Sequence, residues 1–318
     1  MNARTRPGVP WRRAVLAVIA ASGLALGAAT AAAEPGHPPA VRAATGAKAV
    51  RAPAVDACDP TASSLRPSGP PQVTPGSFMA KIRARGYLIA GVDQSTYHFG
   101  FLNPLSGQIE GFDIDMIRAV AKAIFGDPGK VQFKAISDAQ RIPDTTHGTV
   151  DVVAHTMTIT CDRLNEVDFS SVYFEAHQKV LVLKNSSATS LDDLHGQKVC
   201  ATSGSDSVDR IRQHHAVAVE VPYWTDCLVQ LQQGDVVAIS TDDSILDGLA
   251  AQDPWTKIIG PPLTCEPYGL AISKQHPEFV RFVNAVLQQL RTDGQWKSSY
   301  TRWLGTPAKN PPSAHYAG

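Results

Sequence analysis

Hydroxyls at alternate positions followed by a lone guanidinium can hold an anion. Residues 156–163, TMTITCDR, have that pattern: Thr156 and Thr158 alternate, Thr160 follows, and Arg163 closes the run. Alternate side chains of an extended segment point to the same side, so Thr156 and Thr158 can face one cleft. Thr160 is placed to cap a short helical turn carrying Arg163. The free N–H groups of that turn and the planar fork of the guanidinium then converge where a small carboxylate could sit. A capped turn with a surface salt bridge is the plainer alternative, and the segment alone leaves both open. His155, beside the turn, reads as a polar lining residue rather than a catalytic base.

Three further polar turns follow apolar runs. DQSTYHFGF (93–101) follows LIAGV, TSGSDS (202–207) follows KVCA, and TDDS (241–244) follows VVAIS. In TSGSDS, Gly204 permits close approach of backbone to a ligand and Ser205 adds a hydroxyl. TDDS offers Asp242 and Asp243 on a strand-to-helix turn, where one carboxylate could bind an ammonium while the other caps the helix. An ordinary turn and two capping or solvated carboxylates are the alternatives. The chain lacks G-x-S-x-G, H-E-x-x-H, a P-loop and G-x-G-x-x-G, so no catalytic set or cofactor is expected.

The elements that must position these turns alternate. GYLIAGVD (86–93) reads as a strand and GFDIDMIRAVAKAIFG (111–126) as a helix, with Ile114, Ile117, Val120, Ala121, Ile124 and Phe125 at helical spacing. Asp113 is the expected N-cap of that helix and Gly126 its stop. Strands and helices continue to alternate up to PEFVRFVNAVLQQLRTDG (277–294), an amphipathic helix. The pattern predicts an α/β fold with mainly parallel sheets, and ligands in such sheets sit at the carboxyl ends of strands, where these turns lie.

The chain has 318 residues, 43% of them apolar, with 29 basic and 29 acidic side chains and a formal net charge of zero. That length allows two domains with real cores, and the balanced charge does not support a nucleic-acid partner. Arginines at 4, 6, 12 and 13 precede an apolar stretch ending in small residues at Ala33, so residues 1–33 read as a signal peptide or a retained N-terminal anchor. Either way the folded part lies outside the cytoplasm, exported or held at the outer face of the membrane. Residues 34–77 read as an Ala- and Pro-rich flexible linker. Five cysteines, an odd number, then sit in an oxidising compartment with no C-x-x-C spacing, so structural disulfides are expected and a metal is not.

Taken in order, GYLIAGVD, GFDIDMIRAVAKAIFG, RIP…GTVDVVAHTMTITCDR…VDFS, CATSGS and AISTDDSIL resemble the family 3 solute-binding proteins of polar amino-acid ABC transporters over about 78–304. DQST, TMTITC and IFGDP are similar to the actinobacterial GlnH-type glutamine/glutamate/aspartate binders. The resemblance implies a monomeric two-lobed flytrap, type II, that closes on a polar amino acid: glutamate, aspartate or their amides. Lobe I would be 78–183 plus 267–305, lobe II 184–266, and 306–318 a disordered tail. By the same resemblance Arg163 holds the ligand α-carboxylate, with Thr156 and Thr158 beside it. Asp242 holds the α-ammonium, and Thr202, Gly204 and Ser205 close over the ligand from lobe II. Arg141 matches a position that contacts side-chain carboxylates in acidic-amino-acid binders, and Asp93 one that accepts an amide N–H in glutamine binders. Tyr97 replaces the family's Pro-Pro-Phe pattern, and His155 is a further donor. Cys200–Cys227 resembles the family's disulfide, Cys58–Cys161 would pin the linker beside Arg163, and Cys265 is left over. The lipobox cysteine common in Gram-positive relatives is missing.

Three functions fit the resemblance. The first is delivery of the ligand to an ABC permease. The second is a sensor that presents its ligand state to a membrane signalling protein. The third is an enzyme, since cyclohexadienyl dehydratases are similar to these binders; it would need a general acid in the cleft to expel water from a prephenate-like substrate, and the clamp of Arg163 and Asp242 does not exclude arogenate.

Overall fold

The computed structural model describes residues 58–317. The signal or anchor expected at 1–33 and the first part of the expected linker lie outside the described residues. The chain folds into two α/β lobes, each built on one five-stranded sheet.

The first sheet runs in the order Val131–Ala135, Leu88–Val92, Val152–Ala154, Ala271–Ile272, Asp168–Phe169. Leu88, Ala90 and Val92 are fully buried, and this strand pairs in parallel with both its neighbours. The second sheet runs Val217–Val221, Lys198–Thr202, Ala238–Asp242, Gln178–Leu183, Thr256–Ile259. Both sheets are mixed: in each, four strands run one way and one runs against them. The parallel pairs arise where a helix returns the chain to the same sheet edge. The antiparallel pairs involve Gln178–Leu183 in one lobe and Ala271–Ile272 in the other, strands at which the chain enters or re-enters a lobe. Local alternation of elements carries no trace of that pairing.

The strand Gln178–Leu183 belongs to the second sheet, so the first crossing lies near His177, ahead of the boundary expected after residue 183. The return passes through Glu266–Tyr268, which pairs antiparallel with Phe174–Ala176 in a two-stranded ribbon.

The helix Phe112–Phe125 stops at Gly126 (φ 78°), as its spacing predicts, but starts from Gly111 instead of Asp113. Gly111 has φ 137°, and a Cβ there would lie 2.1 Å from the Phe99 carbonyl oxygen, so only glycine fits. Asp113 turns inward. Its carboxylate accepts the Tyr173 hydroxyl (2.6 Å) and the Thr156 amide (2.8 Å). Burial, partly offset by these bonds, pushes its pKa up to about 6. Helix Pro277–Thr292 buries Phe279, Phe282, Val283, Val286, Leu287 and Leu290 in the lobe I core.

The flexible linker expected up to residue 77 is ordered where it is described. Ser64 is 4% exposed, donates to the Phe169 carbonyl and receives the Asn284 amide, each at 2.7 Å. Cys58 is disulfide-bonded to Cys161, and the Asn284 amide also reaches the Leu65 carbonyl at 2.7 Å. The tail expected to be disordered joins this strap: Ala317 N–H donates to the Ser64 carbonyl at 2.9 Å, and the Arg66 guanidinium lies 5.3 Å from the Tyr316 ring. A segment without apolar periodicity can still be ordered by backbone hydrogen bonds to a surface already formed, and periodicity does not register that. The second disulfide, Cys200–Cys227, lies in the lobe II core, while Cys265 is free and exposed. Among the described residues no helix is long and apolar enough to cross a membrane.

Candidate functional site

The turn at 156–163 folds much as its residues require. Thr160 is the N-cap of the helix Cys161–Glu166, and its hydroxyl accepts the Arg163 amide at 3.2 Å. The Arg163 guanidinium swings back, donating to the Thr158 carbonyl (2.7 Å) and meeting Gly204 O (3.4 Å) and Asp206 Oδ1 (3.2 Å). The last two belong to lobe II, so this arginine spans the interface. Thr156 has φ 41°, a left-handed conformation that costs a non-glycine residue roughly 1–2 kcal/mol. Its hydroxyl is buried and without a partner.

Five of the residues expected in the site, Arg141, Thr156, Thr158, Ser205 and Asp242, line one cleft between the lobes. Lobe I supplies Thr156, Thr158 and Arg141, and lobe II supplies Ser205 and Asp242. The lobes meet closely here. Thr202 donates its hydroxyl to Asp138, and the cleft has a volume of about 10 Å³, no more than one water needs. Gly204 is at φ +85°, with its position 2.7 Å from Ala139 Cα for a notional Cβ. A larger concavity of about 700 Å³ beside Leu183 and Gly234 holds Asp193 as its lone charged residue, and that carboxylate already accepts Thr189 and Ser190.

TDDS divides its work. Asp243 Oδ1 accepts the Ser244 and His177 amides, each at 3.0 Å, while Asp242 faces the cleft and accepts the Tyr268 hydroxyl at 2.5 Å. Burial first, then the neighbouring Glu266 and Asp206 carboxyls, raise the Asp242 pKa well above the carboxylate range.

The side-chain contacts expected of Asp93, Tyr97 and His155 are not in this cleft. Asp93 closes its own turn: Oδ1 accepts Gln94 N (2.6 Å), Ser95 N (2.8 Å) and Ser95 Oγ (2.8 Å), and Oδ2 accepts Thr96 Oγ1. Tyr97 is 37% exposed, its ring packed 4.9 Å from Phe101. His155 Nε2 donates to the Ile136 carbonyl at 2.9 Å and Nδ1 lies 3.4 Å from Asp138, so the ring serves the lobe I interior. Arg141 reaches the cleft but is occupied: Nε donates to Asp138 O (3.0 Å), Nη1 to Asp138 Oδ1 (2.8 Å) and His155 O (3.3 Å), and Nη2 to Gly204 O (3.2 Å).

Three acidic residues of the cleft escaped the sequence reading. Asp138 anchors Arg141 and Thr202. Asp206 lies within the TSGSDS turn, where its proximity to Arg163 has no local signature. Glu266, 3% exposed, comes from the returning ribbon, accepts the Thr264 hydroxyl and sits beside the Asp206 carboxyl. Burial and then Asp206 push Glu266 up to about 7. Burial opposes ionisation of Asp206, but Arg163, the Glu266 hydrogen bond and Arg141 outweigh it and hold that carboxyl below its ordinary value.

The sequence profile of the bacterial extracellular solute-binding proteins, family 3, matches residues 88–306. The chain is 40% identical over 229 residues to the ABC transporter glutamine-binding protein GlnH of Bacillus subtilis, covering 71% of this chain and 84% of that one. It is 28% identical over 242 residues to the glutamate-binding protein GluB of Corynebacterium glutamicum, covering 72% and 81%. Among solved structures, an ancestral arginine-binding protein bound to glutamine matches with a TM-score of 0.66 at 35% identity, covering 70% of this chain and 99% of that one.

Proposed function

The chain belongs to the bacterial extracellular solute-binding proteins of family 3, and we propose on that premise that it binds a polar α-amino acid between its lobes, outside the cytoplasm, for delivery to an ABC permease. One observation carries the reading: the lobe I guanidinium of Arg163 reaches Thr158 and Asp206, which line the same interlobe cleft as the lobe II carboxylate of Asp242, a pair suited to the two charges of a zwitterion. Arg163 takes the α-carboxylate in a charge-assisted, forked hydrogen bond, displacing Asp206. The unpartnered Thr156 hydroxyl and Thr158 complete that end. Asp242 takes the α-ammonium, whose positive charge returns this carboxyl to its ionised form. Gly204 and Ser205 approach from lobe II, and Thr202 ties their turn to Asp138.

A ligand favours the closed state only through contacts it gains from the second lobe. Asp242 and the 202–205 turn provide those contacts, and the ribbon of Phe174–Ala176 with Glu266–Tyr268 is the element about which the lobes would swing.

Calorimetric titration with Gln, Glu, Asn, Asp, His and Arg tests the proposal. At least one should bind the folded protein. Arg163→Ala should weaken that binding at least about thirtyfold, the worth of a lost charge-assisted hydrogen bond of roughly 2–3 kcal/mol. Asp242→Ala should weaken both affinity and lobe closure. Folded protein that binds none of the six, or an Arg163→Ala variant with undiminished affinity, overturns the assignment.

A further inference from the structure

We propose that Asp206 and Glu266 determine the specificity of this cleft: they exclude a side-chain carboxylate and direct the site to an amino acid whose side chain donates hydrogen bonds, of the carboxamide class. The inference rests on the amino-acid-binding reading above and narrows it.

The charges around the cleft are unequal. Asp138, Asp206 and Asp242 line it, and Glu266 lies beside Asp206. Against these four carboxyls stand Arg141 and Arg163. Arg141 is paired with Asp138 and its remaining bonds go to the carbonyls of Asp138, His155 and Gly204. When a ligand arrives, Arg163 is engaged by its α-carboxylate and Asp242 by its ammonium. Asp206 and Glu266 then remain without a cation.

A ligand with a second carboxylate would bring like charge against these carboxyls in a water-poor space, where such repulsion is strong. A carboxamide adds no charge and offers two N–H donors to these acceptors. An independent feature marks the same cleft as built for a ligand: the Thr156 hydroxyl, on a residue only 4% exposed, has no partner and borders the cleft with Asp206. A buried hydroxyl without a partner is unfavourable until some atom satisfies it.

The test is titration of the full-length protein with L-glutamine and L-glutamate at pH 7.5, with Asp206→Asn and Glu266→Gln in parallel. The wild-type protein should bind glutamine at least about tenfold more tightly than glutamate, the order expected for an uncompensated like charge. Each neutral variant should narrow that ratio by raising the relative affinity for glutamate. The ratio is the decisive readout, because a merely structural disturbance would weaken both ligands together. Equal or tighter binding of glutamate by the wild type overturns the proposal, as does an unchanged ratio in both variants. If folded wild-type protein binds no amino acid, the broader reading fails first.

Discussion

Gly204→Ala separates closing of the lobes from their stability. Gly204 lies in lobe II at φ +85°, and a Cβ there would fall 2.7 Å from Ala139 Cα and 2.9 Å from Ala139 N. These are backbone atoms of lobe I, held by the turn Asp138–Gln140, and cannot rotate away as a side chain could. Overpacking of that kind costs about 1–3 kcal/mol. The cost exists only while the lobes are together, so it should weaken ligand binding about 5- to 150-fold. The positive φ adds roughly 1–2 kcal/mol for alanine, but it burdens open and closed forms alike and appears as lost stability. Gly234→Ala is the control: it has φ +77° with nothing within 4 Å of its notional Cβ, so it should lower stability and leave affinity alone. Titration with glutamine, urea melts of the ligand-free protein and small-angle scattering with and without ligand give the three readouts. If Gly204→Ala loses stability but keeps wild-type affinity and compaction, the contact with Ala139 does not belong to the binding-competent state and the closure argument fails.

Two other perturbations bear on the scaffold and on the cleft. The disulfides close spans of 103 and 27 residues, which the chain-entropy relation values at about 4.7 and 3.6 kcal/mol. Paired Ser variants should therefore lower the urea midpoint, Cys58/Cys161 at least as much as Cys200/Cys227, and an unmoved midpoint would refute the role of either. Glu266 and Asp113 have folded pKa values raised to about 7 and about 6 from 4.5 and 3.8. The folded state thus binds more protons than the unfolded one in that range. Their contribution should stabilise ligand-free protein as pH falls from 8 towards 5, and it is lost as pH rises through those folded values. Glu266→Gln should flatten the slope between pH 8 and 6; an identical slope in the variant, measured by urea melts, would show that Glu266 does not titrate there.

Much of the site's local construction was legible in the sequence. Thr160 caps the turn of Arg163 because a hydroxyl before a short helix satisfies a free N–H. Asp242 faces the cleft while Asp243 accepts the Ser244 and His177 amides, because their side chains leave a strand-to-helix turn in different directions. Gly126 ends its helix, and the apolar spacing of 277–294 marks its buried face. These features depend on interactions within a few residues. Asp113 departed from its expected capping role because Gly111 admits the Phe99 carbonyl, a contact made through the fold. The strap at 58–77 is ordered through Phe169, Asn284 and Cys161, partners that lie more than a hundred positions along the chain.

The sequence by itself determined the α/β class and the four polar turns, since periodicity, caps and hydroxyl spacing are local properties of a chain, while the two lobes were implied by its resemblance to a known family. Tertiary structure alone decided which charges meet. It set Asp206 against Arg163 across the lobes and brought Glu266 beside Asp206 from a distant strand. Electrostatic energy depends on distance through space and on burial, and neither is a function of separation along the chain.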